Sequence, residues 1–278
     1  MTNPLAHPTV QLNNGVSMPQ IGCGVFRVAD AEPVIAAALD TGYRLFDTAH
    51  SYENEASVGK AIRDSGVDPR SLFVTTKLAN SDQGYERAMR AFEQSLALLQ
   101  LPAVDLYLIH WPVPARDLYV ETWQAFEQIY ASGRARAVGV CNFNAEHLHR
   151  LVDNSDLTPA VNQVELHPGF PQLGLRAVHA ALGITTEAWS PLGRGSALLD
   201  RPEVTAIAEE VERTPAQVVL RWHLDEGHVV IPKSTNPKRL QSNLEVFDFT
   251  LSDAQRSVLS ELPEPGRVGP DPLLFDEH

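Results

Sequence analysis

Four residues in this chain could share one piece of acid–base chemistry. Asp47 closes the short run Leu45-Phe46-Asp47, and Tyr52 follows it in a loop. Lys77 closes Leu72-Phe73-Val74-Thr75-Thr76-Lys77, and His110 closes Asp105-Leu106-Tyr107-Leu108-Ile109-His110. A tyrosine acts as a general acid only when something brings its pKa down from about 10. A lysine beside the phenol favours the phenolate and would do this. Asp47 would hold that lysine in place and charged, and His110 would donate a hydrogen bond that orients a substrate oxygen. Together they can polarise a carbonyl and protonate the alkoxide that forms when hydride arrives.

Three of these residues end apolar, strand-like runs, and Tyr52 lies in the loop just after one of them. The chain alternates such runs with helical periodicity. Strands are expected at 20–26, 45–47, 72–77, 106–110, 135–141, 160–166, 184–190 and 228–231. Helices are expected at 31–40, 54–65, 86–99, 120–130, 146–152, 175–182, 203–224 and 236–246, with an extra one at 252–262. The helical stretch 203–224 is broken at Thr214-Pro215, where Thr214 can cap and Pro215 suits a first helical position. Eight apolar strands, each followed by a helix, predict a (β/α)8 TIM barrel, and residues 1–278 read as one domain. An open doubly wound sheet would show Gly-x-Gly-x-x-Gly after its first strand; Gly193-Arg194-Gly195 comes far too late. Alternation around Asn14-Gly15 predicts an N-terminal β-hairpin with a tight primed turn, lying over one end of the domain. Gly22 and Gly24 leave room for a neighbouring backbone or a ligand. The Pro/Gly-rich tail 263–272 is expected to wrap the surface.

Composition sets the class of partner. With 22 Lys and Arg against 35 Asp and Glu, the net charge is −13, which argues against nucleic acid or an anionic membrane. No apolar run is long enough to span a bilayer, and Met1-Thr2-Asn3-Pro4-Leu5 has neither the charged nor the apolar region of a leader. Two cysteines, Cys23 and Cys141, are too few for a disulfide framework, so a reducing cytoplasm is the expected location.

Asp47-Thr48-Ala49 with Tyr52, Thr75-Thr76-Lys77-Leu78 and Leu106-Tyr107-Leu108-Ile109-His110-Trp111-Pro112 resemble the aldo-keto reductase superfamily. The likeness spans nearly the whole chain and is nearest to bacterial reductases of the 2,5-diketo-D-gluconate reductase kind. It implies a catalytic tetrad of Asp47, Tyr52, Lys77 and His110, with Tyr52 as proton donor and a nicotinamide as hydride donor. A histidine at position 110 favours carbonyl reduction, since the family's double-bond reductases carry glutamate there.

The cofactor side follows from the second half of the chain. Gly139-Val140-Cys141-Asn142-Phe143 resembles the family's GVSNF, with Cys141 in place of the serine. A thiol is the weaker hydrogen-bond donor, so Asn142 and Gln163 would carry more of the carboxamide contact. Trp189 occupies the place where an aromatic ring stacks on the nicotinamide, and the loop from Ser190 through Leu192 to Gly195 would cover the pyrophosphate. Ile231-Pro232-Lys233-Ser234 leads into a helix whose N-terminus can bind an anion. Lys233, Ser234 and Arg239 there suit a 2′-phosphate, so NADPH is expected over NADH. Asn243 would meet the adenine, while Ser242 replaces the glutamate usual in the family. Ala79 stands where the family has tryptophan and should widen the pocket; Trp111, Phe26 and His50 would line it. No metal is expected. The C-terminal tail, short for the family, is expected to leave the site open. The implied protein is a monomer acting on small aldehydes, α-dicarbonyls or keto-sugars. Two other readings compete: an NADPH-binding regulatory module without turnover, and a metal-dependent hydrolase built on Asp47, His50 and His110.

Overall fold

The computed structural model describes residues 7–263 and 266–276. Met1–Leu5, read above for a leader, lies outside the described residues, as do Glu264 and Pro265 of the tail.

An antiparallel hairpin comes first, β1 (Thr9–Gln11) and β2 (Ser17–Pro19), with Val10 opposite Met18. Its turn departs from the two-residue primed form. Gly15 N–H donates to the Leu12 carbonyl at 2.9 Å and Leu12 N–H donates to the Val16 carbonyl at 2.9 Å, which makes a three-residue loop. Gly15 alone in that loop takes positive φ, +85°. Asn13 and Asn14 pin the loop by donating to the carbonyls of Pro159 and Arg136.

Eight parallel strands follow: β3 (Cys23–Gly24), β4 (Leu45–Asp47), β5 (Phe73–Leu78), β6 (Val104–Ile109), β7 (Ala135–Cys141), β8 (Val161–Glu165), β9 (Thr185–Trp189) and β10 (Val229–Val230). Each pairs with the next, and the edges meet. Ile21 bridges Val230 in parallel, Gly22 N–H donates to the Val230 carbonyl at 2.8 Å, and Val230 N–H donates to the Gln20 carbonyl at 3.0 Å. The sheet is therefore closed into a barrel, with no free edge. A side chain at Gly22 would overlap Leu45, so glycine there permits the seam.

The helices are α1 (Glu32–Thr41), α2 (Glu55–Asp64), α3 (Tyr85–Leu99), α4 (Tyr119–Ala131), α5 (Ala145–Val152), α6 (Leu173–Leu182), α7 (Pro202–Glu210), α8 (Pro215–Asp225), α9 (Pro237–Leu244) and α10 (Asp253–Ser260). Their ends follow local chemistry. Gly42 in the left-handed region caps α1. Thr214 and Gln217 form a reciprocal capping box at α8, with Pro215 in its first turn. The last helix, α10, carries its own capping box through Ser252 and Gln255.

The twofold alternation of strand side chains sorts them into two cores. Phe46, Val74, Leu78, Tyr107, Ile109, Val138 and Val140 face the helices. Leu45, Phe73, Leu106, Leu108, Ala137 and Val161 fill the barrel, and Leu12 and Met18 of the hairpin join them as a plug. Moving up the same inward faces, the residues turn polar. Leu45 is followed by Asp47, Phe73 by Thr75 and Lys77, Val161 by Gln163 and Glu165, and Glu187 by Trp189. The apolar floor and the polar rim are thus two ends of one inward stripe, and the rim is at the C-terminal ends of the strands. Among the described residues no helix is long and apolar enough to cross a membrane.

Candidate active site

The polar rim opens into a cleft of about 440 Å³. At its base Lys77, fully buried, donates to Asp47 Oδ1 at 2.6 Å and to the Thr48 carbonyl at 2.9 Å. Burial alone would discharge the ammonium, but Asp47, and then Tyr52, outweigh it, and the Lys77 pKa is raised. The Lys77 ammonium stands beside the Tyr52 phenol, its Nζ 5.1 Å from the centre of that ring. Tyr52 lies edge-on to His110 and to Phe26, with ring centres 5.7 Å and 5.1 Å away. The four residues expected to act together are therefore in one place.

The direction of the Tyr52 shift corrects the expectation. Burial among these rings pushes the phenol above its ordinary pKa; Lys77 pulls it down without reversing the sign. The phenol is protonated at neutral pH and so has a proton to give. His110 is pushed the other way, to about 3, by burial and then by Lys77. It is a neutral imidazole, with Ser51 Oγ 3.3 Å from Nδ1.

Of the residues expected around a cofactor, Cys141, Asn142, Gln163, Trp189, Ser190 and Lys233 line the cleft. Asn142 adopts left-handed φ, +64°, and its side chain is shared: Nδ2 donates to the His110 carbonyl at 3.0 Å, and Oδ1 accepts from Trp189 Nε1 at 2.8 Å. Gln163 Nε2 donates to Asp47 Oδ2 and to Glu187 Oε2, both at 2.8 Å. The Cys141 thiol is pushed well up by burial and stands 3.7 Å from Gln163 Oε1. Leu192, Ser234, Arg239 and Asn243 do not line the cleft. Leu192 packs on the helix-side core, and Ser234 Oγ engages the backbone of Asn236. Arg239 and Asn243 are one turn apart on α9, whose first-turn Lys238 N–H is capped by Asn236.

Phe26, Ala79 and Trp111 line the cleft as expected. His50 does not: its Nδ1 is 3.0 Å from Glu55 Oε2, and this contact raises its pKa. With His50 turned to Glu55, the three ligands of the hydrolase reading are not gathered. The tail is a second correction. Val268 and Gly269 N–H groups donate to the buried Glu165 carboxylate at 2.5 Å and 2.8 Å. This brings Pro270 and Phe275 into the cleft wall, where Phe275 lies 4.2 Å from Trp111 between ring centres. The tail covers one side of the site rather than leaving it open.

Four further residues went unread in the sequence. Arg27 and Arg194 lie 5.1 Å and 5.3 Å from the Phe26 ring and line the cleft with it. Arg194, inside the Ser190 to Gly195 loop, had a readable signal; Arg27, next to Phe26, had only its position. Glu187 and Glu165 were legible as charges in otherwise apolar strands. Among the described lining residues Asp47 is the only acid, and it is engaged with Lys77. In a chain of net charge −13, a cleft carrying Arg27, Arg194 and Lys233 is built for an anion. An aromatic ring, two primary amides and this cationic rim lie together along the cleft wall.

Comparison with known proteins gives the same frame. The model of the Aldo/keto reductase family matches residues 11–264. Morphine 6-dehydrogenase from Pseudomonas putida is 52% identical, over 97% of this chain and 96% of its own. Methylglyoxal reductase DkgA from Escherichia coli (strain K12) is 45% identical, over 98% and 99%. A mutant of Gox0644 in complex with NADPH superposes with a TM-score of 0.93 at 46% identity, covering 97% of this chain and 99% of that one.

Proposed function

The chain belongs to the aldo/keto reductase family of oxidoreductases, and on that premise we propose that it reduces aldehydes, α-dicarbonyls or keto-sugars to alcohols with NADPH, Tyr52 giving the proton. The observation that carries this is the buried Lys77–Asp47 pair under a protonated Tyr52 and a neutral His110, at the base of a cation-rimmed cleft.

Trp189, Asn142 and Gln163 would hold the nicotinamide, with Ser190 and Arg194 beside the pyrophosphate and Lys233 and Arg239 on the 2′-phosphate. Bound there, the cofactor supplies hydride to the carbonyl carbon. His110, with Ser51 against Nδ1, keeps Nε2 for a donor bond to the carbonyl oxygen. Negative charge grows on that oxygen as the hydride arrives, and Tyr52 protonates it. Lys77 then stabilises the phenolate left behind, and Asp47 keeps Lys77 charged and fixed. The raised resting pKa fits this order: the proton is held until charge develops beside it. The relatives' names support small dicarbonyls as one substrate class. Phe275 against Trp111 limits the width gained at Ala79. Action as a monomer in the cytoplasm is part of the same proposal.

The test is NADPH consumption with a panel of carbonyls, run beside Tyr52→Phe. Turnover in the parent and a loss of at least about 100-fold in the variant is the expected result. NADPH binding without turnover on any carbonyl would instead favour the regulatory module.

A further inference from the structure

Glu187 has no part in the chemistry above, yet it is fully buried at the top of the barrel. Its Oε2 accepts from Gln163 Nε2, and its Oε1 has no hydrogen-bond partner among the described residues. Alternation along β9 puts Glu187 on the same inward face as Trp189, one layer beneath it. It therefore lies one hydrogen bond behind Gln163 and directly below Trp189, two residues that line the cleft. We propose that Glu187 is a positioning residue whose protonation state governs the cleft's preference between oxidised and reduced nicotinamide dinucleotide; the inference rests on the NADPH reading above.

The surroundings of Glu187 decide its charge. Asp47 on β4 and Lys77 on β5 face it, and they neutralise each other at 2.6 Å. Cys141 on β7 bears on it as a neutral thiol, β8 offers the neutral Gln163, and β10 places Val229 at its register partner. Among the described residues Lys77 is the one cation that bears on Glu187. Burial first, and Asp47 second, hold Glu187 protonated to about 8. At neutral pH the barrel top therefore carries one matched ion pair and a neutral acid.

Ionisation above that pH leaves an unmatched negative charge behind Gln163 and Trp189. The oxidised nicotinamide ring is a cation and the reduced ring is neutral, so the new charge favours the oxidised form. The effect is amplified because the charge is screened by protein rather than water. Coupling is reciprocal: the oxidised nucleotide must lower the Glu187 pKa as much as ionised Glu187 tightens its binding. Below the transition Glu187 stays neutral, and the oxidised nucleotide formed by reduction leaves without that attraction.

Dissociation constants for NADP+ and NADPH, read from Trp189-containing fluorescence across about pH 6 to 9.5 on the parent and Glu187→Gln, test this. The ratio of the NADP+ to the NADPH constant should fall about tenfold through the transition in the parent, which corresponds to one pKa unit between the two complexes. It should be flat in Glu187→Gln. Equal slopes in the two proteins would overturn the inference while leaving the NADPH reading intact. Failure of the parent to bind either nucleotide would overturn both. Should Glu187→Gln not fold, carbon-13 NMR of glutamate-labelled parent supplies the decision. One carboxyl titrating near pH 8, and moving to lower pH with NADP+ but not with NADPH, supports the inference; its absence sinks it.

Discussion

At the scale of single residues, the site rests on a buried charge pair at the foot of the cleft. Lys77 and Asp47 are buried at 2.6 Å, and neither can be removed alone without stranding the other. Lys77→Met should cost about 3–5 kcal/mol in stability, because Asp47 is left as an uncompensated buried charge. Adding Asp47→Asn should recover much of that loss in denaturant unfolding, since the stranded charge is then gone. Turnover should stay low in both variants, because the cation beside Tyr52 is missing in each. A double variant no more stable than Lys77→Met would mean that the pair is not the electrostatic unit inferred. These residue types were legible because Asp47, Lys77 and His110 each terminate an apolar run and Tyr52 follows the first of them. The sign of the Tyr52 shift was not legible. It depends on how far Phe26 and His110 enclose the phenol, and residues 26, 52 and 110 meet only in the folded barrel.

At the scale of elements, periodicity and caps carried nearly every strand and helix, because each is decided by residues within a few positions of one another. Thr214-Pro215 splitting two helices is the clearest case, since capping box and proline act within one turn. The hairpin turn lies beyond this local logic for a related reason. Asn14-Gly15 is common to two-residue and three-residue loops, and the register of Val10 with Met18 chooses between them. The tail's path is not legible locally, because its conformation is set at a distance, by Glu165 accepting the Val268 and Gly269 N–H groups. A methyl group at Gly269 would overlap the edge of Trp189 and lie 2.8 Å from Glu165 Oε2. Gly269→Ala should therefore lift the tail and with it Phe275. Hydrogen exchange at Val268 and residue 269 should rise, and KM for bulky carbonyls should change more than kcat. Unchanged exchange would show that the strap tolerates the methyl by a local shift.

At the scale of the whole molecule, the cost of this architecture is a set of titratable groups shut away from water, and it fixes how stability varies with pH. Burial lowers His110 and His223 to about 3, His179 to about 4, and His228 well below its usual value. Each is neutral in the fold and gains a proton in the unfolded chain once pH falls below about 6.5, so stability falls as pH drops through that window. Glu187 and Asp105, both raised by burial, act with the opposite sign. They keep protons that the unfolded chain releases above about 4 to 4.5, so their contribution falls as pH rises toward their folded values. The lowered histidines, with His7 and His147 among them, outnumber the groups raised, so unfolding takes up protons between pH 5 and 6 and stability falls as the pH drops through that window. Denaturant unfolding at a series of pH values measures this slope directly. His228 is a test position, since its Nδ1 faces that of His223 at 3.4 Å and the two rings cannot both be charged. His228→Leu should reduce the acid slope by about one proton's worth while leaving the slope above pH 7 unchanged. Glu187 contributes to that upper slope up to about pH 8, beside the buried thiols of Cys23 and Cys141, and the slope should shrink in Glu187→Gln. Stability that holds level from pH 6 to 5 in the parent would mean that the buried histidines find partners on protonation within the fold.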